Sequence, residues 1–390
     1  MISVAQALEQ LVALAAPLPV EDVPLRHAAG RVLARDVAST RTQPPFAASA
    51  MDGYAVRAAE VEPDAMFKVV GEAAAGHSYD GKMGAGQAVR IFTGAPVPEA
   101  ADFVVIQEDV TRRGELITLG RDIGHNANIR PAGGDFKTGD VLSGPRVLSP
   151  SDIALLASMN IATVPVYRKP RVALLATGDE LVAPGENPGP DQIIASNSYG
   201  LAALLEGIGA LPHLLPIARD TEKALTATFE MAAQSDLIVT IGGASVGDHD
   251  LVAPVAKAMG MEQSFYKVAM RPGKPLMAGR LRGVPMIGLP GNPVSAMVCG
   301  TIFVAPVVRA MMGLDPTAAA WQTGVLASAL PENGPREHYM RAVLGPDGIT
   351  AFDRQDSSLL SVLSKSNVLL VRPPHEPAQP IGAKAKFIAL

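Results

Sequence analysis

The stretch VPVYRKPRVALLATGDELV, residues 164–182, decides how this chain is read. A run rich in Val, Leu and Ala ends directly in a Gly/acid turn. A helical pattern, SNSYGLAALLEGIGA (196–210), comes after it. The alternation continues downstream. HLLPIARD (213–220) reads as a strand and EKALTATFEMAAQ (222–234) as a helix. SDLIVTIGGASVGDHD (235–250) reads as a strand running into a Gly-rich turn, and LVAPVAKAMG (251–260) as a helix. VPMIGLPGNPVSAMVCGTIFVAPVVRAMMG (284–313) reads as a strand, a turn and a long helix. Strands alternating with helices of this length predict βαβ units around a parallel-rich sheet.

Working outward, residues 3–16 predict a helix capped by Ser3, with Val4, Leu8, Leu11, Val12 and Ala15 as its apolar stripe. The tandem Pro44-Pro45 holds the chain extended. AMFKVVGEA, GQAVRIFTG, DFVVIQEDV and ELITLG are short β-like pieces between Gly, Pro and Asp turns. SPSDIALLASMNI (149–161) reads as a helix with Ser149 or Ser151 as its cap. The last 70 or so residues return to short strands such as HYMRAVLG and NVLLVRP.

Composition narrows the function classes. With 390 residues, about two to four domains are expected. Lys and Arg total 33 against 38 Asp and Glu, a net charge of −5, which argues against a nucleic-acid partner. The single cysteine, Cys299, excludes an intramolecular disulfide framework and a cysteine metal cluster, and it reads as a buried small hydrophobe. The opening MISVAQALEQLVALAAPLP lacks a basic start and carries Glu9, so no signal peptide is expected. No run of 18 apolar residues appears, so no membrane span is expected either, and a cytoplasmic location follows.

Ligands of open parallel sheets bind beyond the carboxyl ends of the strands. Three loops qualify: Thr177-Gly178-Asp179-Glu180, the segment from Gly242 and Gly243 through Ser245, Gly247 and Asp248 to Asp250, and Pro290-Gly291-Asn292. The second is a candidate phosphate cradle of backbone amides with Ser245 as an added hydroxyl, although a tight turn has the same composition. It matches neither a P-loop nor a dinucleotide fingerprint. Glu180, Asp220 and Asp250 lie at or just after strand ends, where carboxylates suit a hard divalent cation bridging to phosphate, or simply cap helices. MRPGKP supplies Arg271 and Lys274 around a Pro-Gly bend, with Lys267 upstream, a set suited to an oxyanion. Asp52, Thr93, Arg130 and Asp135 are polar turn residues outside the α/β region, and Asp52 reads equally as an Asx turn. They raise a cleft shared between domains or subunits. Arg336 and Arg341 flank a short strand, and strict alternation over five positions puts them on opposite faces. Gln355, Ser357 and Ser358 form a polar turn.

SAMDGYAVR, IFTGAPVP, VVIQED, NIRPAGGDFKTGD, ALLATGDELV, SNSYGL, GGASVGDHD, MRPGKPL and GLPGNPVSA occur in this order. Together they resemble the molybdopterin molybdenumtransferase family, whose eukaryotic relatives include the C-terminal part of gephyrin, over essentially the whole chain. The resemblance implies insertion of molybdenum from molybdate into adenylylated molybdopterin with release of AMP, and dependence on Mg²⁺. It implies a multidomain α/β fold: a discontinuous linker domain (1–40 plus 136–165, with 1–20 free to pack elsewhere), an inserted β domain (41–135), a molybdopterin-binding α/β domain (166–318) and a C-terminal β-barrel-like domain (319–390). It implies a homodimer with an active cleft between subunits, and a transient partner, molybdopterin adenylyltransferase.

By the same resemblance, Asp52 and Thr93 are cleft residues of the β domain, and Arg130 and Asp135 belong to an RPxGxD turn. Glu180, Asp220 and Asp250 are the Mg²⁺-associated acids. Lys267, Arg271 and Lys274 are the basic set, and Arg336 and Ser357 belong to a C-terminal anion pocket. Thr177, Gly242, Gly243, Ser245, Gly247, Asp248, Pro290 and Asn292, from the three rim loops, are the expected cofactor-binding positions. Two departures stand out: Arg271 replaces a lysine found in some relatives, and Asp356 stands where a glycine often precedes the C-terminal serine. Two other functions remain open: adenylylation of molybdopterin itself, and a non-catalytic gephyrin-like scaffold.

Overall fold

The computed structural model describes residues 1–243, 251–316 and 321–390. Its central sheet has six strands: β1 (Arg171–Ala176), β2 (Leu211–Leu214), β3 (Leu237–Ile241), β4 (Met261–Tyr266), β5 (Met277–Leu281) and β6 (Val284–Leu289), in the order β2-β1-β3-β6-β5-β4. β2, β1, β3 and β6 run parallel. β5 and β4 extend the sheet as antiparallel strands, an addition that βαβ alternation does not foretell. The turn between β5 and β6 is Arg282-Gly283, both with positive φ (50° and 85°), the backbone that a two-residue hairpin connection requires.

Burial explains the layering. Every residue of β3 is buried, as is β1 beyond Arg171, because helices cover both faces. Val172 and Leu174 face one core with helix α1 (Asn197–Gly207) and the long helix α4 (Pro293–Met311). Ala173 and Leu175 face the other, with α2 (Glu222–Ala232) and α3 (Val252–Ala258). The period-2 alternation of β1 thus sorts its side chains between the layers. Helix α4 contains a π segment at Gly300–Val304. By length and composition alone it could cross a membrane, although it is not an unbroken apolar run, and 78% of that window is buried inside the protein.

The N-terminal helix (Val4–Val12) carries a Ser3/Gln6 capping box and buries Val4, Ala7 and Leu11 in the α1/α4 core. The next segments pair across a long sequence gap. Val20–Pro24, Thr163–Tyr167, Val32–Leu33 and Arg146–Val147 form one antiparallel sheet in that order. Val37–Ala38 pairs with Val141–Leu142, and Gln43 bridges Phe136. Between these pairings lies a six-stranded sheet that includes Gly53–Val56, Met66–Ala73, Gln87–Ile91 and Phe103–Ile106.

The C-terminal sheet centres on Glu337–Gly345, Val368–Arg372 and Lys384–Ala389. Among the described residues its ladder does not close into the expected barrel. Gln322–Val325 ends one edge, and only the bridge Leu326↔Ile349 reaches across to the Gly348–Ala351 strand. Beside a shared core that includes Tyr339, Leu369, Val371 and Ile388, two backbone links join this sheet to the central domain among the described residues. Met270–Arg271 pairs in parallel with Glu337–His338, and Val294 N–H at the start of α4 donates to Ser357 O (3.0 Å).

Candidate active site

The parallel strands β1, β3 and β6 end at one rim, and their loops are stitched together by backbone hydrogen bonds. Thr177 N–H donates to Ile241 O (3.1 Å), Gly178 N–H to Ala218 O (3.2 Å) and Gly242 N–H to Leu289 O (3.1 Å). Asn197 Nδ2 donates to Gly291 O (2.7 Å), tying the start of α1 to the loop before α4. These loops enclose a cleft of about 720 Å³. Of the residues singled out by sequence, Thr177, Glu180, Asp220, Gly242, Gly243, Pro290 and Asn292 line it. Ser245, Gly247, Asp248 and Asp250 lie outside the described residues.

The chemistry of the lining is anion-binding with acids at the edge. The N-termini of α1 and α4 open onto the cleft through Ser196, Asn197, Ser198, Asn292 and Pro293 and turn the positive ends of two helix dipoles toward it, neither one capped by its own N-cap side chain. Gly242 (φ 89°) and Gly243 (φ 61°) adopt left-handed backbone. A Cβ on Gly243 would collide with Val252 and press on Thr177 Oγ1, so the backbone there is bare by necessity. Thr177 Oγ1 is buried beneath these glycines and has no hydrogen-bond partner among the described residues. Glu180 is exposed and folds its carboxylate over Gly178. Asp220 N–H donates to Asp179 Oδ1 (3.3 Å), and Arg219 Nη1 donates to Asp179 O (2.7 Å), which bundles the acidic loops. Among the described residues, no group of three or more His, Cys, Asp and Glu side chains is placed to hold a metal ion.

Lys267, Arg271 and Lys274 sit on the connection between β4 and β5. Met277 pairs with Gly288, so this loop emerges at the same rim as Pro290. Lys267 N–H to Leu276 O and Val268 N–H to Lys274 O (both 3.0 Å) close it. Lys267 has φ 80° and its ammonium lies over the Tyr266 ring. Pro275 of this loop lines the cleft, but the three cations do not. Arg271 instead faces the seam with the C-terminal sheet, where Arg336 and Ser357 lie; neighbouring Ser358 reaches the cleft.

Asp52, Thr93, Arg130 and Asp135 are on the β domain and none lines this cleft. Arg130 is in a short strand paired with Ala48–Ser49, and Asp135 is exposed on the return to Gln43. Asp52 Oδ1 accepts from both Thr93 N–H and Thr93 Oγ1 (2.8 Å each). These bonds, with Arg90 nearby, hold its carboxyl below the usual range. Thr93→Val removes the hydroxyl but keeps the N–H. The Asp52 titration, followed by carboxyl carbon NMR, is expected to move up yet stay below an ordinary aspartate; an unmoved midpoint would show the hydroxyl bond to be inert.

Sequence reading missed several contributors. Asn197 was within a quoted motif but not singled out, since its role depends on Gly291, 94 positions away. Arg341 and His338 are buried on the Glu337–Gly345 strand, whose burial does not alternate strictly because neighbours pack on both its faces. Arg341 is therefore an interior residue rather than one flanking the strand.

A parallel-rich sheet with left-handed glycines at its rim is an α/β domain of a kind suited to binding phosphate, and residues 173–310 match the family model described as a probable molybdopterin binding domain. Residues 2–160 match the MoeA N-terminal region (domain I and II), and residues 323–390 the MoeA C-terminal region (domain IV). The chain is 36% identical to the molybdopterin molybdenumtransferase of Haemophilus influenzae, over 91% of this chain and 90% of that protein. It is 37% identical to the one from Nostoc, covering 90% and 85%. A crystal structure of the molybdopterin biosynthesis moeA protein from Pyrococcus horikoshii superposes with a TM-score of 0.86 at 27% identity, over 100% of both chains. The chain belongs to the molybdopterin molybdenumtransferase (MoeA) family, and with it to the biosynthesis of the molybdenum cofactor.

Proposed function

We propose that this protein inserts molybdenum from molybdate into adenylylated molybdopterin and releases AMP. The observation that carries the reading is the single rim on which bare glycine amides, two helix N-termini and two cleft carboxylates meet beside a cationic loop. The amide of Gly243, the Thr177 hydroxyl, which has no partner among the described residues, and the α1 and α4 termini grip the phosphate-bearing tail. Molybdate is a tetrahedral dianion, and Arg271, Lys274, Arg336 and Ser357 at the adjoining seam hold it by charge and hydrogen bonds.

Mg²⁺ commonly takes one or two carboxylates alongside water and substrate phosphates, so Glu180 and Asp220 on one cleft wall suit it without a third protein ligand. When bound, Mg²⁺ supplies screening of the pyrophosphate charge. The Asp52–Thr93 pair is absent from the lining of its own chain's cleft. We therefore include in the reading a homodimer in which a second copy brings that pair to orient the reactants. An adenylylating enzyme that supplies the substrate docks transiently.

The test incubates the protein with adenylylated molybdopterin and Mg²⁺, with and without molybdate. AMP is measured, and product cofactor is scored by activation of a molybdenum-free molybdoenzyme. Molybdate-dependent AMP release with active cofactor is the expected result. ATP consumption with unadenylylated pterin would assign the adenylyltransferase reaction instead. Binding of the adenylylated pterin without turnover would leave a scaffold.

A further inference from the structure

The turn that carries Asp52 on the β domain is held by Arg90. Arg90 stands directly across from Tyr54 in the antiparallel pairing of Gln87–Ile91 with Gly53–Val56. Its guanidinium carbon lies 5.1 Å from the centre of the Tyr54 ring and 4.5 Å from that of Phe92. A guanidinium gains from resting on an aromatic face, and the Tyr54 ring is buried, so the stack has a fixed floor.

From this seat the guanidinium fork reaches two points on the Asp52 turn. Nη1 donates to the carbonyl of Gly53, the residue after Asp52 (3.0 Å), and Nη2 donates to Gln107 Oε1 (2.7 Å). Gln107 N–H in turn donates to Asp52 O (3.0 Å). Gly53 is itself pressed against the neighbouring strand, where an added Cβ would lie 2.0 Å from Val105 O. Three residues beyond Arg90, Thr93 grips the Asp52 carboxylate through its N–H and its hydroxyl. One segment thus holds the backbone of the turn at Arg90 and its carboxylate at Thr93. Both Arg90 bonds go to neutral oxygens, and its charge adds to the two Thr93 bonds in keeping the Asp52 carboxyl ionised. A lysine here would keep the charge without the planar fork or its fit over two rings.

We infer that Arg90 is a positioning residue for the Asp52 carboxylate: its guanidinium, laid over Tyr54 and Phe92, clamps Gly53 and Gln107 and so fixes the turn on which Asp52 meets Thr93. That the carboxylate acts in turnover rests on the function proposed above; that Arg90 sets its place does not.

The experiment compares the full-length protein with Arg90→Met, Arg90→Lys and Gln107→Ala. Folding is followed by circular dichroism, the Asp52 carboxyl by carbon NMR across pH, and AMP release by steady-state kinetics at saturating molybdate and Mg²⁺. In Arg90→Met the Asp52 midpoint is expected to move up. There kcat is expected to fall by about tenfold to 10²-fold, the scale on which a small misplacement of a reacting group acts, while KM for adenylylated pterin holds. Arg90→Lys returns the midpoint toward the parent but leaves kcat low, because the charge comes back without the fork. Gln107→Ala drops one arm of the clamp, keeps the charge and both rings, and lowers kcat by less. A folded Arg90→Met with parental kcat would overturn the inference, and so would full recovery of kcat in Arg90→Lys, which would leave a charge effect alone. If Arg90→Met does not fold, parental kcat in Arg90→Lys and Gln107→Ala overturns it. If the parent protein releases no AMP, the proposed reaction fails and the NMR titration decides: a moved Asp52 midpoint in Arg90→Met keeps the inference, and an unmoved one overturns it.

Discussion

Replacing Glu180 with alanine is expected to lower Mg²⁺-dependent AMP release by about 10²–10³-fold, the scale on which one preorganised electrostatic contributor acts. The side chain is exposed on the cleft wall, and its structural duty is done by the backbone: Ile193 N–H donates to Glu180 O (2.7 Å). The fold therefore tolerates the loss, and an unchanged melting temperature separates lost chemistry from lost structure. If the carboxylate holds the cation, the Mg²⁺ concentration for half-maximal release also rises. Asp179→Ala serves as the comparison, because Asp179 Oδ1 is engaged with Asp220 N–H and its side chain is not part of the lining. Undiminished release by Glu180→Ala at low Mg²⁺ would remove Glu180 from any metal role.

The second large effect is on stability against acid. Burial, reinforced by Arg271, Arg341, Arg372 and Arg336, lowers the His338 pKa to about 3. An unfolded histidine titrates near 6.5, so between these values the unfolded chain binds a proton that the native protein refuses. The contribution is therefore complete above about pH 6.5 and is lost progressively as pH falls toward about 3, at up to about 1.4 kcal/mol per pH unit. Denaturant titrations at pH 7 and pH 4.5 should show His338→Gln losing less stability on acidification than the parent. Asp152 and Asp356 also have lowered pKa values and add acid sensitivity at lower pH, but they remain in both proteins and cancel in the comparison. Parallel losses in the two proteins would mean that His338 does not titrate as a buried neutral group.

How much of this was legible in the sequence depends on the range of the interaction. The run 171–176 followed by a Gly/acid turn announced a buried parallel strand and a rim loop, because strand periodicity and turn chemistry are local. Ser3 is a helix cap as expected, and of Ser149 and Ser151 it is Ser149 that caps, for the same reason. The antiparallel pair β4–β5 was missed: MEQSFY has four exposed or half-exposed residues and does not resemble a core strand. The seam was illegible as geometry. It rests on a two-residue pairing of Met270–Arg271 with Glu337–His338, too short for any pattern. Arg341 carries the same lesson. An arginine in a strand reads as a surface residue, and only its carbonyl partners and the packing around it put it inside. Local reading had Arg336 and Arg341 flanking a strand and Ser357 in a polar turn, and resemblance to relatives joined Arg336 and Ser357 into one pocket. The resemblance did not name His338 or Arg341.

The pairing of Gln43 with Phe136, backed by the Val37–Ala38 and Val141–Leu142 ladder, means that the chain leaves for the β domain and comes back through one doorway. An excursion of more than ninety residues hangs from that single hinge point, its two ends already clasped. Lengthening or trimming that excursion leaves the threading of the α/β domain unchanged, because both of its ends stay clasped at the same place.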